Sequence, residues 1–206
     1  MKYLLFLLTT VLLILSCDQE PKELIIRSPS EVVNGEKVYR KVRDFSFINQ
    51  DSAVVTNETF KDKIYITNFF FTSCPDICPP VNRQMLRVHD HFLDDDRVRF
   101  LSHSIDVKYD SIPALKEYAD LLGVAAPKWN FITGEEEEIF EIAYDYYATA
   151  IKSPEAPSGF DHDDQLVLVD KNGLLRSSAH GMEEKDVDRF IQDVELLLKT
   201  EYPEKK

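Results

Sequence analysis

The chain has 206 residues, 44% hydrophobic and 30% charged, with a formal net charge of −13. That length suits one domain plus an export segment, with enough apolar side chains for a core. The excess of acid argues against a nucleic-acid phosphate backbone as partner, which needs clustered Lys and Arg; solubility is its plain account.

Met1-Lys2 is a short basic start, and Tyr3 to Leu15 is an apolar run too short for a comfortable transmembrane helix. The run closes as Ile14-Leu15-Ser16-Cys17, which resembles a bacterial lipobox. Residues 1–16 then read as a lipoprotein signal peptide, with Cys17 lipidated and acyl chains anchoring the chain to a membrane. An uncleaved signal anchor is the alternative. Either way the rest lies outside the cytoplasm, on the periplasmic side, where disulfides form. Residues 17–37 read as a lipidated N-terminus and polar tether, and 38–206 as the folded domain.

Val38-Tyr39-Arg40-Lys41-Val42 alternates like a short strand, and Phe45 to Thr56 reads as a hairpin. Ile64 to Phe71 is an apolar, β-branched and aromatic run that reads as a buried strand. Thr72-Ser73-Cys74-Pro75-Asp76-Ile77-Cys78-Pro79-Pro80 follows, and Val81 to Asp94 reads as a helix. Arg97 to Asp106 is a second core strand. Ser111 suits the cap of a helix over Ile112–Leu122, stopped by Gly123. Lys128 to Ile132 is a third strand. The acids Glu135 to Glu138 open another helix, with Ile139, Phe140, Ile142, Ala143 and Tyr146 inward. Ala148 to Asp164 reads as a long polar loop. Gln165 to Asp170 and Leu174 to Ser178 form a hairpin about Lys171-Asn172-Gly173, and Glu183 to Lys199 is a final amphipathic helix. This order predicts an α/β, thioredoxin-like fold, a mixed central sheet flanked by helices, with an N-terminal β-hairpin.

Cys17 stands apart from Cys74 and Cys78. A bridge over three residues closes too small a loop to stabilise much, so the pair reads as a redox or metal site rather than a structural disulfide. A thiol at a helix N-terminus is expected to ionise more easily. Two thiolates with one imidazole suit copper, as Cu(I) or Cu(II). Five histidines are available. His89 and His91 read as surface residues on the helix, His103 as a core residue and His180 as exposed. His162, at the end of the long loop, reads as a candidate third ligand able to swing onto a metal or away from it.

Four segments taken together resemble the Sco/SenC family of copper metallochaperones, named for synthesis of cytochrome c oxidase. Phe69 to Pro79 resembles its CxxxC signature. Ser104-Ile105-Asp106 through Asp110-Ser111 to Tyr118 resembles its S-x-D-P…D-T-P…L-K-x-Y segment. Trp129 to Gly134 resembles its W…L-T-G, and His162 precedes an apolar strand and an Asp-x-x-Gly turn. The resemblance implies a thioredoxin-like fold with copper held by Cys74, Cys78 and His162. It implies a role in assembling the dinuclear copper centre of cytochrome c oxidase, with that centre's subunit, a periplasmic copper donor and a thiol reductant as partners. Departures are Asp163 and Asp164 after the histidine, Val107 where Pro is usual, and Ser52 and Asp62 where Gly is frequent. The two aspartates are expected to favour imidazolium at His162 and so oppose metal at low pH.

The alternative is a thiol–disulfide oxidoreductase in which Cys74 and Cys78 are the redox-active pair, reducing that copper site or other exported proteins. A thiol peroxidase would need Thr72 and Arg83 beside one activated cysteine.

Overall fold

The computed structural model describes residues 23–156 and 159–203. The expected signal peptide and Cys17 lie outside them.

The organising strand is β5, Ile64–Phe70, in which every residue is buried. A strand covered on both faces has no need of polar alternation, and the sequence shows none. β5 pairs in parallel with β6, Val98–Ser104, from Ile64 opposite Val98 to Phe70 opposite Ser104. β6 pairs in parallel with β7, Trp129–Thr133. β3 (Ser46–Asn49) and β4 (Val54–Thr56) form a hairpin that extends the β7 side. On the other side β10, Gln165–Val169, lies antiparallel to β5 and carries β11, Leu175–His180. The seven-stranded order is β11-β10-β5-β6-β7-β3-β4.

Among the described residues four α-helices flank this sheet: α1 (Cys78–His91), α2 (Ile112–Leu122), α3 (Glu136–Asp145) and α4 (Glu184–Glu201). Gly123 ends α2 in the left-handed conformation, as its position suggests. Asp170 Oδ1 accepts from the backbone of Asn172 and Leu174, and Gly173, at φ +78°, completes that turn. Ser52 and Asp62 also have positive φ, which is why glycine would suit both positions.

Several elements depart from expectation. α1 starts three residues early, at Cys78, because Pro79 and Pro80 are tolerated in a first turn. A second hairpin, β1 (Ser30–Val33) with β2 (Glu36–Tyr39), occupies part of the stretch expected to be a tether. Beside it, Arg27 N–H donates to Leu175 O and Val42 N–H to Gly173 O, along the outer strand β11 and its turn. The loop over Ala148–Asp164 contains a third hairpin, β8 (Ala150–Lys152) with β9 (Phe160–His162). His89 is buried, not on the surface. It is 4% exposed and packs against Phe100 and Trp129.

His103 is a core residue, as expected. It stacks on Phe69, its Nδ1 meets Thr67 Oγ1 at 3.0 Å, and its Nε2 has no partner among the described residues. Burial lowers its pKa to about 3. As pH falls below about 6.5, the unfolded chain takes up this proton and the folded chain does not. Stability attributable to His103 is therefore complete above about 6.5 and is lost at up to ~1.4 kcal/mol per pH unit on the way down to about 3. Urea unfolding from pH 7 to pH 4 is expected to show a slope shallower by about that much in His103→Gln; an unaltered slope would place the titration elsewhere.

Candidate metal centre

β5 ends at Phe70, and the chain turns through Phe71, Thr72 and Ser73 to Cys74 before Cys78 opens α1. Cys78 is 2% exposed, whereas Cys74 is half-buried. Both are free thiols. The Cys78 N–H donates to Cys74 Sγ at 3.4 Å, so a backbone donor near the helix start is turned toward the first sulfur.

β9 delivers His162 to the same place. Its Nε2 lies 3.6 Å from Cys78 Sγ and 4.0 Å from Cys74 Sγ, and the three donor atoms fall within 4.8 Å of one another. Nδ1 lies 3.0 Å from the Asp163 carbonyl oxygen. A carbonyl only accepts, so Nδ1 carries the hydrogen and the neutral ring turns its Nε2 lone pair to the sulfurs. Metal–sulfur bonds of about 2.3 Å and metal–nitrogen bonds of about 2.0 Å, at angles near 110–120°, give N to S separations of ~3.5–3.7 Å. The observed spacing fits a metal between the three atoms after small side-chain adjustment. Beside Cys74 opens a groove of about 210 Å³, lined by Pro75, Asp76, Ile77, Phe160 and His162 among others.

Electrostatics differ from the sequence-based expectation at two points. Burial, then the hydrogen bond with Cys74, pushes the Cys78 thiol well above its ordinary range, although Cys78 opens a helix. Desolvation outweighs the helix dipole there. His162 is shifted down, not up: burial dominates, and the nearby aspartates oppose it only in part. Their carboxylates serve the backbone instead. Asp163 Oδ2 accepts from Thr149 N–H at 2.6 Å and Asp163 Oδ1 from Gln165 N–H at 3.2 Å. Asp164 Oδ2 accepts from Met182 N–H, and Asp164 Oδ1 lies 2.9 Å from His180 Nδ1. Gly181 donates to the Asp164 carbonyl at 2.7 Å; a Cβ there would collide with that oxygen and with Val81 of α1. The end of β11 is thereby pressed against the His162 segment.

Of the remaining histidines, His91 bonds Glu195, His180 is exposed as expected, and His89 and His103 lie in the core. A buried carboxylate missed in the sequence reading, Asp110, accepts from Thr72 N–H at 3.0 Å, Thr72 Oγ1 at 2.5 Å and Ser104 Oγ at 2.6 Å. Its place in the Asp110-Ser111-Ile112 segment was its only signal. Of the residues a peroxidase would need, the Thr72 hydroxyl is engaged by Asp110 and Arg83 is exposed.

Fold and donor set define a thioredoxin-like protein with two thiols and one imidazole converging at a strand-to-helix junction. A family model described as SCO1/SenC matches residues 34–199, and the chain belongs to that family. Among solved structures it is similar to a SCO1/SenC family lipoprotein from Bacillus anthracis, with a TM-score of 0.69 and 25% identity over 76% of this chain and 94% of that one. It is similar to BsSco, described as a member of the Sco family of cytochrome c oxidase assembly proteins with a disulfide switch, with a TM-score of 0.67 and 30% identity over 76% and 92%. Copper-bound ScoI of Arabidopsis thaliana aligns with a TM-score of 0.65 and 26% identity over 78% and 99%.

The two imidazoles on this segment are expected to titrate in opposite senses. The Asp164 carboxylate holds His180 above the ordinary histidine value, while burial holds His162 below it. Nitrogen-15 NMR of the metal-free protein should give a midpoint above about 6.5 for His180 and below it for His162, with His162 in the Nδ1–H form; a His162 midpoint above that value would contradict the burial account.

Proposed function

We propose that this protein is an extracytoplasmic copper metallochaperone that takes copper on Cys74, Cys78 and His162 and assists assembly of the dinuclear copper centre of cytochrome c oxidase. The observation that carries this reading is the His162 Nε2 facing both sulfurs at 3.6 and 4.0 Å. A site for exchange chemistry alone needs no imidazole there. Thiolate and imidazole donors together suit both oxidation states of copper. Family membership and the copper-bound Arabidopsis relative support the choice of metal. The half-buried Cys74 beside its groove is the ligand that an acceptor protein reaches first, and Cys78 is the enclosed one. Lipidation of Cys17 would hold the domain at the periplasmic face of a membrane, a reading supported by the lipobox-like run and by the lipoprotein relative. No described helix is long and apolar enough to cross a membrane.

Copper titration of the reduced protein is the test. Wild type is expected to bind one copper, and His162→Ala to bind it roughly 10- to 100-fold more weakly or worse, since even outer-shell partners of a metal ligand are worth that much. Disulfide formation between Cys74 and Cys78 should survive the substitution. Unchanged copper affinity in His162→Ala would remove His162 from the ligand set.

A second reading is thiol–disulfide exchange, favoured by the unequal exposure of the two thiols. Cys74 as thiolate would attack one sulfur of a partner disulfide and release the other as thiolate. Cys78, deprotonated in turn, would displace the mixed disulfide, leaving the partner reduced and the pair oxidised. Iodoacetamide should then modify Cys74 at least about tenfold faster than Cys78, and Cys74→Ser should abolish reduction of a partner while His162→Ala leaves it intact. Equal labelling of the two thiols would count against this assignment of roles.

A further inference from the structure

Two of the buried acids have arginine partners: Asp145 meets Arg43, and Asp170 meets Arg176. Asp110 has no such partner. Its side chain is wholly enclosed, and its hydrogen bonds come from the Thr72 amide, the Thr72 hydroxyl and the Ser104 hydroxyl, all neutral donors. Among the described residues no Lys, Arg or His forms an ion pair with it. Asp106, four residues earlier, also lacks an ion pair, but burial first and Asp110 second hold its carboxyl above the usual range.

Placement gives this carboxylate its meaning. Thr72 stands two residues ahead of Cys74, and Ser104 ends β6 opposite Phe70, the last residue of β5. Asp110 therefore ties the thiol loop to the adjoining parallel strand. Neutral donors spread a buried charge without cancelling it, and a buried charge without a counter-ion is costly. Copper held by Cys74 and Cys78 would bring positive charge to the loop that Asp110 ties down.

We propose that Asp110 is a positioning residue for the thiol loop whose charge also biases the site toward Cu(II) over Cu(I). This rests on the copper reading above. Two thiolates, a neutral imidazole and Cu(II) sum to zero charge. One added electron gives Cu(I) and a site of charge −1, with every bond kept and no proton moved. A fixed negative charge on the enclosed, Cys78 side of the site opposes that gain, because Coulomb interactions are less screened on that buried side than at the groove. Reduction is disfavoured, and the oxidised metal is retained.

The test is a spectroelectrochemical titration of the full copper-loaded chain with one-electron mediators, alongside separate Cu(I) and Cu(II) affinities. Asp110→Asn keeps the shape and an acceptor oxygen but removes the charge. Its ratio of Cu(II) to Cu(I) affinity is expected to fall about tenfold, which is a rise of about 59 mV in potential for a one-electron couple. The dithiol–disulfide potential of the metal-free protein should stay near wild type, since both of its end states are uncharged. Mere loosening of the loop would instead weaken both copper states together and disturb that potential. Thr72→Val keeps the charge and deletes one donor, so both affinities should drop in parallel and the ratio should stay near the wild-type ratio.

An unchanged ratio in Asp110→Asn, with normal copper binding by wild type, would overturn the role of Asp110 and leave the copper reading intact. Failure of wild type to bind copper would overturn both. A ratio that falls in Thr72→Val would overturn the charge account, and this variant decides the matter if circular dichroism shows Asp110→Asn unfolded.

Discussion

The hydrogen bond from His162 Nδ1 to the Asp163 carbonyl determines what the site can do. It chooses the tautomer, and the tautomer chooses which nitrogen meets the sulfurs. A ring bonded the other way would present an N–H to the two thiols and could not take a metal. The carbonyl holds its direction because Asp163 is itself tied down: its N–H donates to Thr149 O, and its carboxylate accepts from Thr149 N–H and Gln165 N–H. The short β8–β9 pairing carries the same constraint to Ala150, opposite His162. His162 is thus held by a hairpin and its anchors, unlike a side chain on a free loop. The third donor is preset over the thiol pair, which lowers the ordering cost of assembling the site.

Charge near the site is sorted by what each acid touches. Asp163 and Asp164 look threatening beside a candidate ligand histidine when read as sequence neighbours. In the fold their oxygens are spent on backbone N–H groups and on His180, and burial of the ring prevails over their attraction for a proton. Asp110, remote in sequence from both cysteines, proves to be the carboxylate beneath the thiol loop. Distance along the chain is a poor guide to electrostatics when parallel strands bring segments together side by side.

The central strand and the thiol pair were legible from residues alone, because a mainly apolar and aromatic run followed by CxxxC leaves few alternatives to a buried strand meeting a helix. The position of His162 was legible mainly through family resemblance. The β8–β9 hairpin was not, since Ala148–Asp164 contains Pro154, Pro157 and Gly159 and lacks alternation; its strands exist through their pairing with each other, which no sequence pattern announces. His89 is different, because its signal was present. Val81, Met85, Val88 and His89 share the buried side of α1 at helical spacing, and the flanking Asp90 and His91 disguised a histidine on that side. The helix dipole argument failed at Cys78 for a related reason: it needs a thiol in touch with water, and this one is packed into the core.

That packing makes the two sulfurs unequal, in a way that suits the proposed role of carrying copper. An enclosed Cys78 with a reluctant proton holds its thiol form until something pays the cost of ionising it, and a metal ion bonding to sulfur does so directly. The more open Cys74, at the mouth of a groove, meets solvent and any approaching protein first. On the proposed reading as a copper carrier, release would begin at the outer sulfur while the inner sulfur and the imidazole kept their hold, so that a partner's donors would replace this protein's one at a time. A fully exposed pair would lose its metal to any competing thiol, and a fully buried pair would surrender it to none. The strand-to-helix junction provides the middle course, because it sinks one cysteine into the first turn of α1 and leaves the other on the loop before it.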